Sequence, residues 1–233
     1  MKKTFLIKGI LTLIATIGIG VGFGAVQHPQ TAQASTKFSQ SELQGPTGYF
    51  KSAKAGYAFR WTKIKVGNSG HIRAIIMGDF KAPQLTMVIP VKNSFSKSHR
   101  TLNVTYRAVS NGKIGSKNYK LSLYKKTGST YTAKLTKYKD GRAVNVKGTT
   151  YTFTKTKTSP AKSYASAYTK PVIEKLLTNQ YNAYVEKEYQ DDLAKGENVE
   201  DPAESSDLQT QIKDKVATET TKEIKQFVDA FNG

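Results

Sequence analysis

The chain has 233 residues, no cysteine and a formal net charge of +19 at pH 7. The missing cysteines exclude disulfides, thiol nucleophiles, Cys-zinc sites and lipid attachment at a processed N-terminal Cys. A chain of this length can bury a self-sufficient core without such staples, as one domain or two small ones.

Met1 to Ala34 has the three blocks of a Sec-type signal peptide. Lys2, Lys3 and Lys8 hold the start on the cytoplasmic side, and the uncharged run 9–26 can enter the translocon as a helix. Pro29 breaks that helix, and Ala32-Gln33-Ala34 offers the small-x-small pattern for cleavage before Ser35. An uncleaved anchor is the rival reading, because the apolar run is near the short limit for spanning hydrocarbon. Gly18, Gly20, Gly22 and Gly24 weaken the helix, and no Lys/Arg-rich stop-transfer flank follows. Either outcome places residues 35 onward outside, with membrane contact only through the leader. The alternating glycines mimic part of a dinucleotide-binding loop, but no strand precedes them and no acid follows at the needed distance, so no cofactor is expected. A long exported chain without disulfides fits a bacterium, and the leader is similar in style to those of Gram-positive bacteria.

Residues 35–43 read as a short linker. From 44 to 158 the pattern has period two, with β-branched and aromatic residues alternating against Lys, Thr and Ser. Tyr57, Phe59 and Trp61 share one face, with a slip to Ile64 and Val66 that suggests a bulge. Ile72, Ala74 and Ile76 follow, then Leu85, Met87 and Ile89; Leu102, Val104 and Tyr106; Tyr119, Leu121 and Leu123; Tyr131, Ala133 and Leu135; Tyr151 and Phe153. Each set is the expected buried side of one strand. Asn68-Ser69-Gly70, Asn111-Gly112, Thr127-Gly128 and Asp140-Gly141 separate them as hairpin turns. Residues 50–67 and 124–141 resemble each other at a constant offset, which a shared Tyr/Thr/Lys composition explains better than a duplicated hairpin does.

A Ser/Ala/Tyr linker at 159–167 leads to a helical pattern over 168–233. Pro171 suits a first turn. One apolar stripe is Ile173, Leu176, Leu177, Tyr181 and Tyr184. After a polar acidic stretch a second stripe is Ile212, Val216, Ile224, Phe227 and Phe231. The expected fold class is α+β: an antiparallel sandwich or barrel of about eight strands, followed by a C-terminal αα-hairpin and preceded by a signal peptide.

Catalytic patterns are sparse. His71 and His99 have no ligand spacing, so no metal site is expected. Glu42, Asp79 and Asp140 offer no convincing carboxylate pair for glycoside cleavage. Ser94-x-x-Lys97, Ser116-x-Asn118 and Lys126-Thr127-Gly128 occur in the order seen in penicillin-binding and serine β-lactamase enzymes. Those families set the Ser and Lys one turn apart on a helix and space the motifs far more widely, so these matches read as chance. An exported hydrolase is the third functional reading.

Charge is the strongest signal. Residues 35–170 hold 26 Lys or Arg against three acids, net +23, whereas 171–233 carry seven Lys against 14 acids, net −7. The candidate binding residues are Arg60, Lys63, Lys65, Tyr124, Tyr131, Lys134, Lys137, Tyr138, Lys139, Arg142, Lys147, Lys155 and Lys157. Ammonium groups on a stiff sheet neutralise a repeating polyanion with release of counterions, and tyrosine rings offer flat faces to sugars. Lysines on strands also serve solubility, but mixed signs would do so with less self-repulsion. The leading expectation is non-catalytic binding of an anionic cell-wall polymer such as teichoic acid, or of a glycan. Nucleic acid carries the same phosphate repeat and stays among the expected partners. A protein partner at the helical hairpin is the second reading. No Leu-Pro-x-Thr-Gly sorting signal is present, so retention at the surface is expected to be non-covalent.

Overall fold

A computed structural model of the chain describes residues 35–66, 70–110, 112–138 and 141–233. The leader, with Ala32 and Ala34, lies outside the described residues, as do 67–69, Asn111, Lys139 and Asp140 of the expected turns and array. The described residues form two compact units, one of 35–169 with 227–233 and one of 170–226.

The first unit is an antiparallel β-barrel. Its strands are β1 (Tyr49–Ser52), β2 (Tyr57–Val66), β3 (Gly70–Asp79), β4 (Gln84–Phe95), β5 (Thr101–Ser110), β6 (Lys113–Lys125), β7 (Thr130–Tyr138), β8 (Gly141–Asn145) and β9 (Thr149–Thr156). The ladder runs β6-β5-β4-β3-β2-β1-β9-β7, and pairing of Tyr124 with Thr132 and Lys125 with Tyr131 closes β6 onto β7. Eight strands make the ring. The ninth, β8, continues the same edge of β7 where β6 leaves it, through Lys134–Asn145 to Tyr138–Gly141.

A barrel of eight strands is just wide enough for side chains to fill. Here Phe50, Tyr57, Phe59, Tyr131 and Phe153 are fully buried. Phe50 stacks on Phe59 at 5.0 Å and meets Tyr131 edge-on at 4.9 Å. The lumen is thus a packed core. Burial raises the phenol pKa of Tyr57, Tyr106 and Tyr131, as expected for groups whose charged form loses solvation.

The expected lining is found on β5, β6, β7 and β9, where Leu102, Val104, Leu121, Leu123, Tyr131 and Phe153 belong to one core cluster. On β3 and β4 the faces are reversed. Ile75, Met77 and Val88 line the lumen, while Ala74 and Ile89 join Ile64 in a separate outer cluster packed by Ile72 and Met87. Both faces of these strands are apolar, so period two alone does not tell inside from outside. No bulge interrupts β2, whose ladder with β3 is continuous from Tyr57 to Val66; the slip at Ile64 is its outward turn into that outer cluster. The bulges fall instead at Pro90–Lys92 and Arg107–Val109. Phe50 lines the lumen but Tyr124 does not, whereas Lys51 is partly exposed and Lys125 is buried. Tyr57 and Tyr131, also matched, both line the lumen, so the two segments share orientation at some matched positions and not at others.

Residues 35–48 are more than a linker. A short 3-10 helix, Gln40–Gln44, is started by Ser39 N donating to Glu42 Oε2 at 2.9 Å. Phe38, buried, stacks on Phe95 at 5.8 Å and tilts onto Tyr131 at 5.9 Å. This segment closes one end of the barrel.

The expected linker 159–167 is helical: α1 (Ala161–Tyr164) passes through a π turn, Ala165–Thr169, into α2 (Lys170–Ala194). Pro171 therefore sits inside a helix. It has no N–H to donate and its ring crowds the carbonyl four residues back, so the ladder widens just before it. The last turn of α3 (Ser206–Asn232) belongs to the barrel unit. There Phe227 and Phe231 pack edge-on against Phe80 at 5.2 and 5.5 Å, and Tyr164 does so at 5.4 Å.

In the second unit, Ile173, Leu177, Tyr181 and Val185 of α2 pack with Leu208, Ile212 and Val216 of α3. These recur every four residues along each helix, the spacing of one helical face. Leu176, expected in the stripe, is 43% exposed.

Gly148 lies where the chain passes from β8 to β9, on opposite edges of β7. Its φ is 96°, and a Cβ there would overlap the Leu135 carbonyl and crowd Thr136 Cα. Thr136 Oγ1 pins this crossing by donating to Lys147 O at 2.8 Å. Gly148→Ala is expected to cost at least about 2 kcal/mol, read as a lower urea midpoint. Gly112→Ala, with φ 71° but open space around it, is expected to cost only about 1 kcal/mol. Equal costs at the two positions would show that the close approach to β7 does not matter.

Candidate functional site

The cations of the sequence array separate into structural and exposed groups. Arg60 is 9% exposed; its Nε donates to Phe231 O at 2.8 Å and its Nη2 to Asn232 O. These are carbonyls that a helix C-terminus leaves without intrahelical donors. Burial lowers the Arg60 pKa. Arg142 forks onto Asp79, with Nε and Nη2 each 2.7 Å from a carboxylate oxygen, and Nη2 also donates to Ala55 O at 2.6 Å. Hydrogen bonding to Asp79 raises its pKa. Lys155 is half-buried beside Glu42 at 3.6 Å, and desolvation lowers its pKa. Tyr131 has no exposed face. Tyr124 is partly covered by the Arg100 guanidinium, 4.9 Å from its ring centroid.

Lys63, Lys65, Lys134, Lys137, Tyr138, Lys147 and Lys157 are exposed. Lys63 and Lys65 lie on β2, and Lys134, Lys137 and Tyr138 on β7 beside β8. Tyr138 Oη accepts from Asn145 Nδ2 at 3.2 Å. Lys157 follows β9. Lys139 lies outside the described residues.

The acids complete the picture. Among the described residues of 35–169 there are only two, Glu42 and Asp79. Asp79 is 1% exposed and held by Arg142, while Glu42 is held between Lys125 at 3.4 Å and Lys155 at 3.6 Å. Both sit at ends of the barrel, paired to inward or rim cations. The strands therefore present outward cations with no described strand carboxylate between them, the unit's further acid being Asp229 in the last turn of α3, and attraction between the strands' own charges does little to lower the potential.

On that wall, β4, β5 and β6 form a platform. Lys92 pairs in register with Thr105, and Thr105 with Lys120; the next outward row is Ser94, Asn103 and Ser122. The preceding row adds Arg107 and Asn118, joined by Nε to Oδ1 at 3.0 Å. Neighbouring strands lie about 4.8 Å apart, so Lys92 and Lys120 stand about 10 Å apart at the backbone. Between them lies an open depression of about 360 Å³, bounded at its edge by Val146, whose N–H donates to Lys120 O at 3.0 Å. Ser122 Oγ donates to Asn103 Oδ1 at 2.6 Å on its floor. Two ammonium groups flanking hydroxyl and amide groups suit an anion with oxygen atoms on several sides.

Lys92, Lys120 and Arg107 were not among the sequence candidates. Their signal was the outward parity of β5, where Thr105 alternates with Val104 and Tyr106, but the bulge after Pro90 hides the matching parity on β4. Ser94 lies on β4 and Lys97 in the turn after it, rather than one turn apart on a helix. His99, in that turn with φ 57°, lies against Phe95 at 5.1 Å. No cluster of three His, Asp or Glu suited to a metal occurs among the described residues. No described helix is long and apolar enough to cross a membrane. Comparison with protein-family models, curated proteins and solved structures finds no match to this chain.

Proposed function

We propose that the chain is an exported, non-catalytic binding protein, released from its leader before Ser35, that holds an anionic wall polymer of the teichoic-acid type on the outer wall of its barrel. The observation that carries this reading is the sorting of charge. The described carboxylates of 35–169 are consumed in ion pairs at the barrel ends, and Lys92, Lys120, Lys134 and Lys147 stay exposed. The packed lumen leaves the exterior to do the binding. A polymer with one phosphate per repeat matches separated lysines better than a single compact ligand does, and its affinity should fall steeply with salt through lost counterion release.

The test is a pull-down on purified walls with and without teichoic acid, across a salt series and with DNA as competitor. Retention that needs teichoic acid and falls with salt supports the reading. Retention indifferent to both overturns it, and loss to DNA at equal phosphate would move the ligand to nucleic acid. The variant Lys92→Ser with Lys120→Ser is expected to reduce the slope of log affinity against log salt by about 1.4, at about 0.7 per contact for a flexible strand. An unchanged slope would remove the platform from the binding surface.

A second reading, a protein partner at the helical unit, is favoured by Val172 and Leu176, 40% and 43% exposed one turn apart on α2. Such binding would persist at about 1 M salt, where charge contacts are screened.

A further inference from the structure

The strand register places a second basic surface on the opposite side of the wall from the platform. Phe59 lines the lumen and Trp61 packs against that lining. Period two then puts Lys63 and Lys65 on the same face, beyond the last lumen ring. On β3, Ile75 lines the lumen, so Arg73 and His71 follow on that face. Lys63 pairs in register with Arg73, and Lys65 with His71, giving four adjacent side chains. All four are exposed. Beyond Arg60 on β2 and Ile75 on β3, the two strands pair only with each other among the described residues. This stretch is a two-stranded arm whose other face carries Ile64 and Ile72.

Cations set directly opposite each other weaken a strand pair. Here Lys63 and Arg73 face each other beyond the arm's last pairing with a third strand, while its other face packs Ile64 and Ile72 with Ile89 and Val109. Threonine or serine would keep the arm soluble without that repulsion, so the arrangement makes physical sense when an anion lies across it. The platform residues Lys92, Thr105 and Lys120 belong to the other face, because Thr105 alternates with the lumen residues Val104 and Tyr106. A polymer strand lying flat on the outer platform does not also lie on the inner face of the arm.

We propose that the protein carries two separate polyanion-binding surfaces, the β2–β3 arm and the β4–β6 platform, and bridges two polymer strands. This inference rests on the polyanion reading above. It assigns Arg73 and His71 to the first surface, with Lys63 and Lys65.

The experiment uses the full chain without its leader and two probes, tripolyphosphate and long-chain polyphosphate, at low salt. Titration calorimetry with tripolyphosphate, too short to reach both surfaces, is expected to give two equivalents per chain. The arm variant (Lys63→Ser, Lys65→Ser and Arg73→Ser) and the platform variant (Lys92→Ser and Lys120→Ser) should each give one. Long-chain polyphosphate should make the unaltered chain turbid near charge balance and clear with excess polymer. Each variant should lower that turbidity at least fivefold. A control with three other exposed lysines removed (Lys54→Ser, Lys97→Ser and Lys126→Ser) should leave it unchanged. A single equivalent lost by both variants would overturn bridging and leave one continuous surface. Turbidity lowered equally by the control would overturn it in favour of bulk charge. Absence of any binding by the unaltered chain would sink the polyanion reading itself, a result distinct from both. All the altered side chains are exposed, and unchanged thermal midpoints check that the variants fold.

Discussion

Asp79→Ala is expected to destabilise the barrel unit by about 3–5 kcal/mol, because removing one partner of a buried pair leaves the other charge uncompensated. Asp79 is 1% exposed, accepts two 2.7 Å bonds from Arg142, and takes the Lys81 N–H at 3.2 Å. Without it the half-buried guanidinium keeps Ala55 O and the Tyr151 side chain but no carboxylate, beside the fully buried Tyr57 ring at 5.8 Å. Domains have total stabilities of about 5–15 kcal/mol, so the loss is a large share. The measurement is urea unfolding of the single variants and of Asp79→Ala with Arg142→Met. The double variant should recover more than half of the loss, since it removes the stranded cation as well as its partner. A cost under about 1 kcal/mol for Asp79→Ala would place the pair with screened surface bridges.

Phe80→Ala is expected to cost about 3–5 kcal/mol, the range for deleting a buried phenylalanine ring. Phe80 is fully buried and meets three aromatic rings edge-on, Tyr164, Phe227 and Phe231. Its backbone is fixed as well, with its N–H donating to Gly56 O at 2.9 Å and its carbonyl accepting Thr169 Oγ1 at 2.9 Å. Hydrogen exchange should show protection lost first over 161–169 and 227–232, while the lumen strands stay protected. Phe80→Leu should cost clearly less, because it refills most of the cavity. Uniform loss across all strands would mean that this aromatic cluster is not a separable layer.

The half of the barrel built from β5, β6, β7 and β9 was legible because each strand has one apolar and one polar face. Leu102, Val104 and Tyr106 alternate with Asn103 and Thr105, and burial follows that alternation. The segments Ile72–Met77 and Leu85–Ile89 are apolar on both sides, so pattern could not say which side met the lumen. Strands β1 and β8, of four and five residues, are too short to show a period. The positive charge was legible as a total, but its partition was not. Arg60 reads as a strand cation, and its acceptors at 231 and 232 are set by tertiary structure. Arg142 and Lys155 are diverted likewise, by the two described acids that the barrel keeps. Lys92 and Lys120 become neighbours of one depression only through a three-strand register across a bulge.

The placement of residues 227–232 constrains the order in which the molecule can be completed. Arg60 and Phe80 emerge early in synthesis, yet the carbonyls and rings that satisfy them arrive only after the whole of 170–226 has been made. A nascent chain halted before residue 227 would hold a guanidinium without its two helix-end acceptors and an aromatic ring with only one of its three ring contacts. Such an intermediate is a natural client for a chaperone, and its layer around Phe80 closes last however early the strands have paired.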